Sequence, residues 1–244
     1  MKLGIILTPN SRSQAYIQKI LKHNILMDEI IFLNDNSSHP DYKNEEITKS
    51  KEYGFDLSKS VNSSLIENKL DYTEFDFVDI NNPKLIHFIS KSDCDFFIFS
   101  GGGILRDEIL STSKKFIHFH PGIVPNYRGS TCFYYSMINE NQCGVTAFFM
   151  DKHLDTGKII LQKTFDSPNH EFVDNVYDPY IRSETLVEVL KNNYLISKNL
   201  KEQSSEGETY YIIHPVLKHI AILSCLNDWY ILIIFSLVLF LSLD

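Results

Sequence analysis

Residues 116–129 read Phe116-Ile-His-Phe-His-Pro-Gly-Ile-Val-Pro-Asn-Tyr-Arg-Gly129. A short apolar run, Phe116 to Phe119, ends on His120-Pro121. That is the pattern of a buried strand stopped by a residue that cannot donate to a ladder. Side chains alternate along a strand, so His118 and His120 share one face. Pro125 and Gly129 stiffen the loop that follows. Upstream, Phe96 to Phe99 is a second continuous apolar run, consistent with a strand covered on both faces, and it opens into Ser100-Gly-Gly-Gly103.

Working outward, Gly4 to Leu7 and Glu29 to Leu33 read as further strands. Ser11 to about Lys22 reads as a helix capped by Asn10 or Ser11, and Asn82-Pro83 opens another helix to about Ser90. Phe75 to Val78 is the expected third strand, and the polar stretch from Asn34 to Ser64 is an insertion or short helices. Strands alternating with helices through residue 120 predict an α/β fold with a parallel, doubly wound sheet. Val145 to Met150 and Lys158 to Thr164 read as two strands across a turn, and Ser183 to about Lys198 as a helix.

In such a sheet ligands bind outside the carboxyl ends of the strands. A second segment with that placement is Gly144-Val-Thr-Ala-Phe-Phe-Met-Asp-Lys-His-Leu-Asp-Thr-Gly157. It sets Asp155 in a turn after a strand. A histidine near a carboxylate at strand ends suits proton transfer.

These two segments resemble the formyltransferase family, which includes the glycinamide ribonucleotide, methionyl-tRNA and nucleotide-sugar formyltransferases. The matches are His120, Pro121, Pro125, Tyr127, Arg128 and Gly129, then Gly144, Val145, Thr146, Asp155, Thr156 and Gly157. Two positions depart from the pattern: the family's catalytic asparagine falls at His118, and the histidine of its G-V-T-x-H motif falls at Phe148. The resemblance implies a Rossmann-like, mostly parallel sheet with helices on both faces over residues 1–225, leaving 226–244 as an apolar tail. It implies 10-formyltetrahydrofolate as formyl donor, a primary amine as acceptor and no metal. His120 would stabilise the oxyanion, His118 would assist it or position the amine, and Asp155 would orient His120. Gly102, Gly103, Ile104 and Leu105 would form one side of a folate slot, because glycine lets a flat ring approach backbone. Backbone around Met150 to Asp155, Met150 and Asp151 foremost, would form the other side, and Tyr127, Arg128 and Gly129 would face the acceptor.

For the acceptor, an amino sugar, nucleotide-linked and used in surface-polysaccharide synthesis, is the expectation. The aromatic, hydroxyl-rich stretches Tyr127 to Thr131 and Phe133 to Tyr135 suit a sugar face. Glycinamide ribonucleotide or methionyl-tRNA formylation, hydrolysis of the donor by water, and a decayed folate-binding member stand as alternatives. The chain has 244 residues, with 23 Lys and Arg against 31 Asp and Glu, a formal charge of −8. That balance weighs against a nucleic-acid partner, as does the short stretch after the matched region.

The four cysteines, Cys94, Cys132, Cys143 and Cys225, form no CxxC pair and read as free thiols in a reducing cytoplasm. His153 with His118 and His120 has no fourth partner at zinc spacing. The start, MKLGIILTPN, reads as a strand rather than a signal peptide. Trp229 to Leu243 is apolar apart from Ser236 and Ser242. Fifteen residues fall short of the roughly 20 that a spanning helix needs. The expectation is therefore a cytoplasmic protein, with weak membrane association through 229–243 as a further option and a catalytic domain that survives removal of the residues after Cys225.

Overall fold

The computed structural model describes residues 1–35, 40–196, 200–204 and 206–226. The expected tail 229–243, with its membrane association, lies outside the described residues. Among these, no helix is long and apolar enough to cross a membrane.

The chain runs β1 (Leu3–Leu7), α1 (Ser11–Lys22), β2 (Glu29–Leu33), α2 (Asn44–Glu52), α3 (Val61–Glu67), β3 (Thr73–Phe75), α4 (Pro83–Lys91), β4 (Phe96–Phe99), α5 (Asp107–Leu110) and β5 (Lys115–His120). It continues through β6 (Tyr127–Gly129), α6 (Cys132–Glu140), β7 (Gln142–Phe149), β8 (Ile159–Asp166), α7 (Asp178–Lys191), β9 (Glu208–Tyr210) and α8 (Pro215–Leu226). The main sheet has the order β3-β2-β1-β4-β5-β7-β8. Its first five strands are parallel, and β7 and β8 are added antiparallel at one edge.

Strand alternation divides the core into two layers. Ile5, Ile98, Ile117 and Phe119 face Tyr16 and Ile17 of α1 and Ile181 and Leu186 of α7. Ile6, Phe97, Phe99 and Phe116 face Leu85 and Ile89 of α4 and Ile109 of α5. The sheet is thus covered on both faces, as the apolar runs predict. Asn10 caps α1, accepting from the backbone N–H of Ser13, and Asn82 caps α4 with Pro83 in its first turn.

Two boundaries differ from the sequence reading. The third strand is Thr73–Phe75, because β2 ends at Leu33 and the Asn34 N–H closes the ladder on the Phe75 carbonyl. The helix expected over Ser183–Lys198 begins at Asp178 and ends at Lys191. Pro179 sits in its first turn, where its missing N–H costs nothing, and Asn193 beyond its end takes a left-handed φ of 53°.

Connections after β1, β4 and β5 all emerge at one end of the sheet. The strand order reverses between β1 and β4, so a crevice opens there. A separate two-stranded parallel ribbon, β6 with β9, closes its far side.

Candidate active site

A cavity of about 580 Å³ fills this crevice. Its floor carries His118 and His120, which continue the face of β5 that begins with Phe116. Their ring centroids lie 6.3 Å apart. Opposite His118 in the antiparallel register is Phe148 of β7, whose ring lies 5.9 Å from His118 and 6.2 Å from His120. The side wall at this point is therefore apolar.

His120 is only 1% exposed. Its Nε2 lies 2.8 Å from the Tyr127 carbonyl. A carbonyl oxygen only accepts, so Nε2 carries the proton and donates. Nδ1 then faces Oδ2 of Asp155 at 3.4 Å. Burial pushes the His120 pKa below the ordinary histidine value. The Asp155 carboxylate acts against that shift and Arg182 acts with it. The resting ring is neutral, with a lone pair on the nitrogen that looks at Asp155.

Asp155 holds a left-handed backbone, φ 53°, uncommon for a residue with a side chain. Its Oδ2 also accepts the Gly129 N–H at 2.7 Å. Gly129 has φ +101°, and a Cβ there would sit 2.1 Å from the Tyr210 carbonyl oxygen. At Gly157 a Cβ would sit 1.6 Å from the Phe149 carbonyl oxygen. Both glycines are required because a second strand of backbone passes against them, and this aims the carboxylate.

His118 has a buried Nδ1 with no hydrogen-bond partner among the described residues. Burial first, then the charges of Arg182 and Arg12, hold its pKa well below the usual value, so it too is neutral. Arg12, Asp178 and Arg182 also line the cavity. Sequence reasoning missed all three. Asp178 and Arg182 are four apart on a helix, a spacing that reads as a surface ion pair. Both are buried, with Arg182 Nε donating to Asp178 Oδ1 at 2.6 Å.

Gly102, Gly103, Ile104 and Leu105 line the cavity, and so do Met150 and Asp151. Asp151 Oδ1 accepts the His153 N–H and the Thr156 hydroxyl, which ties the turn that delivers Asp155. Gly129 reaches the cavity, but Tyr127 and Arg128 do not, a correction to the sequence reading. Tyr127 is 4% exposed, donates to Glu140 and stacks on Tyr210 at 5.4 Å. Arg128 is turned to Gln203 and the Ser204 carbonyl. The reason is the ribbon: β6 pairs with β9, and both side chains are used to bind the returning segment. That segment supplies a wall that sequence reasoning did not place at the site, Thr209 to Ile212, facing Ser130 and Thr131. Tyr211 is 81% exposed at its rim. Among the described residues, no group of three or more His, Cys, Asp or Glu is arranged to hold a metal ion.

A family model described as formyl transferase matches residues 33–189. The methionyl-tRNA formyltransferase of Caldanaerobacter subterraneus subsp. tengcongensis is 29% identical over 147 residues, 57% of this chain and 47% of that protein. This chain thus spans about half the length of that relative. In fold, the chain is similar to a sugar N-formyltransferase from a Shewanella species, with a TM-score of 0.59 at 19% identity, over 93% of this chain and 89% of that one. It is also similar to WlaRD, a sugar 3N-formyltransferase crystallised in the presence of dTDP and 5-N-formyl-THF, with a TM-score of 0.60 at 17% identity, over 94% and 81%.

Proposed function

The chain belongs to the formyl transferase family, and from that premise we propose that it moves a formyl group from 10-formyltetrahydrofolate to the primary amine of a nucleotide-linked amino sugar. The observation that carries the reading is Nδ1 of neutral His120 facing Asp155 on the floor of the cavity, beside the unpartnered Nδ1 of His118. The residues fit the donor. Gly102 is open, with nothing within 4 Å of a Cβ placed there, and Met150 lines the same cavity, which leaves room for a flat ring against the glycine backbone. The donor supplies an electrophilic carbonyl carbon.

The chain's own residues then have separable tasks. The His120 Nε2 proton is committed to the Tyr127 carbonyl, so Nδ1 is the free base: it takes the proton that leaves the attacking amine and returns it to the tetrahydrofolate nitrogen as that nitrogen's bond to the formyl carbon breaks. Asp155 steadies the imidazolium so formed, because an opposite charge within about 4–6 Å favours the charged form. This differs from the oxyanion-donor role the resemblance implies for His120. The donor to the developing oxyanion is the neutral ring of His118, which carries one N–H. Phe148 and Phe133 exclude water from the floor. The acceptor lies against Ser130, Thr131 and Thr209 to Tyr211, hydroxyls and rings of the kind that bind sugar faces. The two solved relatives described as sugar formyltransferases support this choice.

The test is direct. Purified protein is incubated with 10-formyltetrahydrofolate and, in separate reactions, nucleotide-linked amino sugars, glycinamide ribonucleotide, methionyl-tRNA or buffer. Tetrahydrofolate release with an amino sugar alone is expected. Release in buffer alone identifies water as the acceptor and overturns the transferase reading. Absence of both turnover and folate binding overturns the function altogether.

A further inference from the structure

Three charged side chains that line the cavity have no task in the chemistry above. Arg12 comes from the first turn of α1, and Asp178 and Arg182 come from the first turns of α7. Arg182 Nη1 donates to the Phe119 carbonyl at 2.7 Å, the peptide oxygen between His118 and His120. Its Nε donates to Asp178 Oδ1 at 2.6 Å. The other carboxylate oxygen of Asp178 lies 3.9 Å from Arg12 Nη2. Arg12 Nη1 in turn donates to the Ser100 and Gly101 carbonyls, at 3.3 and 3.1 Å, where the glycine loop leaves β4. Both residues of the α7 pair are at most 5% exposed. A buried carboxylate between two guanidiniums is costly to desolvate, and hydrophobic replacements often pack as well. Its position between the arginine bonded to the histidine strand and the arginine bonded to the glycine loop supplies a reason for its presence.

We propose that Asp178 is a positioning residue, the shared counter-ion through which Arg182 and Arg12 lock the end of the histidine strand to the glycine loop. The network spans α1, α7, β4 and β5 and joins the histidine strand to the glycine loop at one carboxylate. It also sets the charge around the histidines. The groups facing His120 are Asp155 after β7, Arg182 and Asp178 of α7, and His118 beside it. Arg182 disfavours the imidazolium and Asp178 favours it. The role rests on reading His118 and His120 as the reacting pair, but its test needs neither the donor nor the acceptor.

The experiment is a pH titration of the full chain carrying ¹⁵N-labelled histidine, followed by heteronuclear NMR. The two ring signals are assigned among nine histidines with His118→Gln and His120→Gln. Arg182→Gln should raise the His120 midpoint and Asp178→Asn should lower it, although both break the same ion pair. Asp178→Asn should also displace the Gly101 to Gly103 amide signals. Midpoints that move in the same direction, or do not move, overturn the proposal. So does a glycine loop that ignores Asp178. Should the α7 variants fail to fold, Arg12→Gln, on the more exposed end of the network, decides. Coupled displacement of the glycine amides and the His120 ring supports the lock, and a response confined to the glycine loop overturns it.

Discussion

Oδ2 of Asp155 faces Nδ1 of His120 at 3.4 Å while accepting the Gly129 N–H at 2.7 Å. The carboxylate is therefore held by backbone, and its second contact is the one nitrogen of His120 that is free to take a proton. Asp155→Asn keeps the shape and the Gly129 bond but removes the charge. Loss of that charge removes the main influence that raises the His120 pKa. Turnover should fall by about 100-fold or more, the scale of a positioned acid–base group. Folate affinity by calorimetry should stay near the unsubstituted value, since the substitution leaves the Met150 to Asp155 backbone and the side chains of Met150 and Asp151 in place. A large loss of affinity with unchanged turnover would contradict the assignment.

The backbone of Gly129 makes that geometry possible. Gly129→Ala imposes a strained φ and a contact of 2.1 Å with the Tyr210 carbonyl oxygen. Relief requires the β6–β9 ribbon to separate, which withdraws both the N–H held by Asp155 and the wall at Thr209 to Ile212. A positive-φ penalty near 1 kcal/mol joined to a backbone clash should cost about 2–4 kcal/mol, the range of mutations with a named steric cause. The midpoint of thermal unfolding should drop accordingly. The protein that remains folded should lose acceptor selectivity before it loses folate binding.

The same residues show what a sequence can and cannot convey. His118 and His120 were placed on one face by period two alone, and the structure puts both on the cavity floor. The order of strands and helices through residue 120 was legible because β4 and β5 are short, apolar and bounded by glycine or proline. Tyr127 and Arg128 were misread because their partners, β9 and Gln203, lie some eighty residues away in the chain. A three-residue strand carries too little pattern to announce such a pairing. The cluster of Arg12, Asp178 and Arg182 was invisible for a different reason. Burial decides whether an i, i+4 ion pair is a solvated decoration or a fixed part of a site, and spacing does not report burial.

Acid stability offers an independent check on the histidine environments. His170 accepts the Phe172 N–H at Nδ1, so its proton sits on Nε2, 3.1 Å from the Tyr53 hydroxyl. Protonating Nδ1 breaks the first bond and places a charge among Tyr53, Phe172 and Tyr177. Burial accordingly lowers its pKa to about 4. The unfolded value is about 6.5. Between those values the unfolded chain binds a proton that the folded chain refuses. Stability should therefore fall as pH drops through that window, and the loss should level off below it. The contribution is on the order of 3 kcal/mol, the span from about 6.5 to about 4 at 1.36 kcal/mol per unit. His118 and His120 act in the same direction. Urea unfolding between pH 4 and 7 should show the slope, and His170→Gln should flatten it while costing stability at pH 7.

The departure at His118 yields the sharpest test of the site. The family pattern has an asparagine here, and the structure shows a histidine that burial first, then the charges of Arg182 and Arg12, keep neutral. A neutral imidazole and an amide share one property, a single uncharged N–H that can point at an oxyanion. His118→Asn should therefore retain turnover within about tenfold, whereas His118→Ala, which removes the donor, should lose about 100-fold, the scale of one oxyanion-hole hydrogen bond. The acidic limb of the pH profile should not move in His118→Asn, because the group titrating there is His120 and His118 contributes no charge. An inactive asparagine variant with intact folding and folate binding would mean that His118 acts through its ring basicity, and the roles given to the two histidines would have to be exchanged.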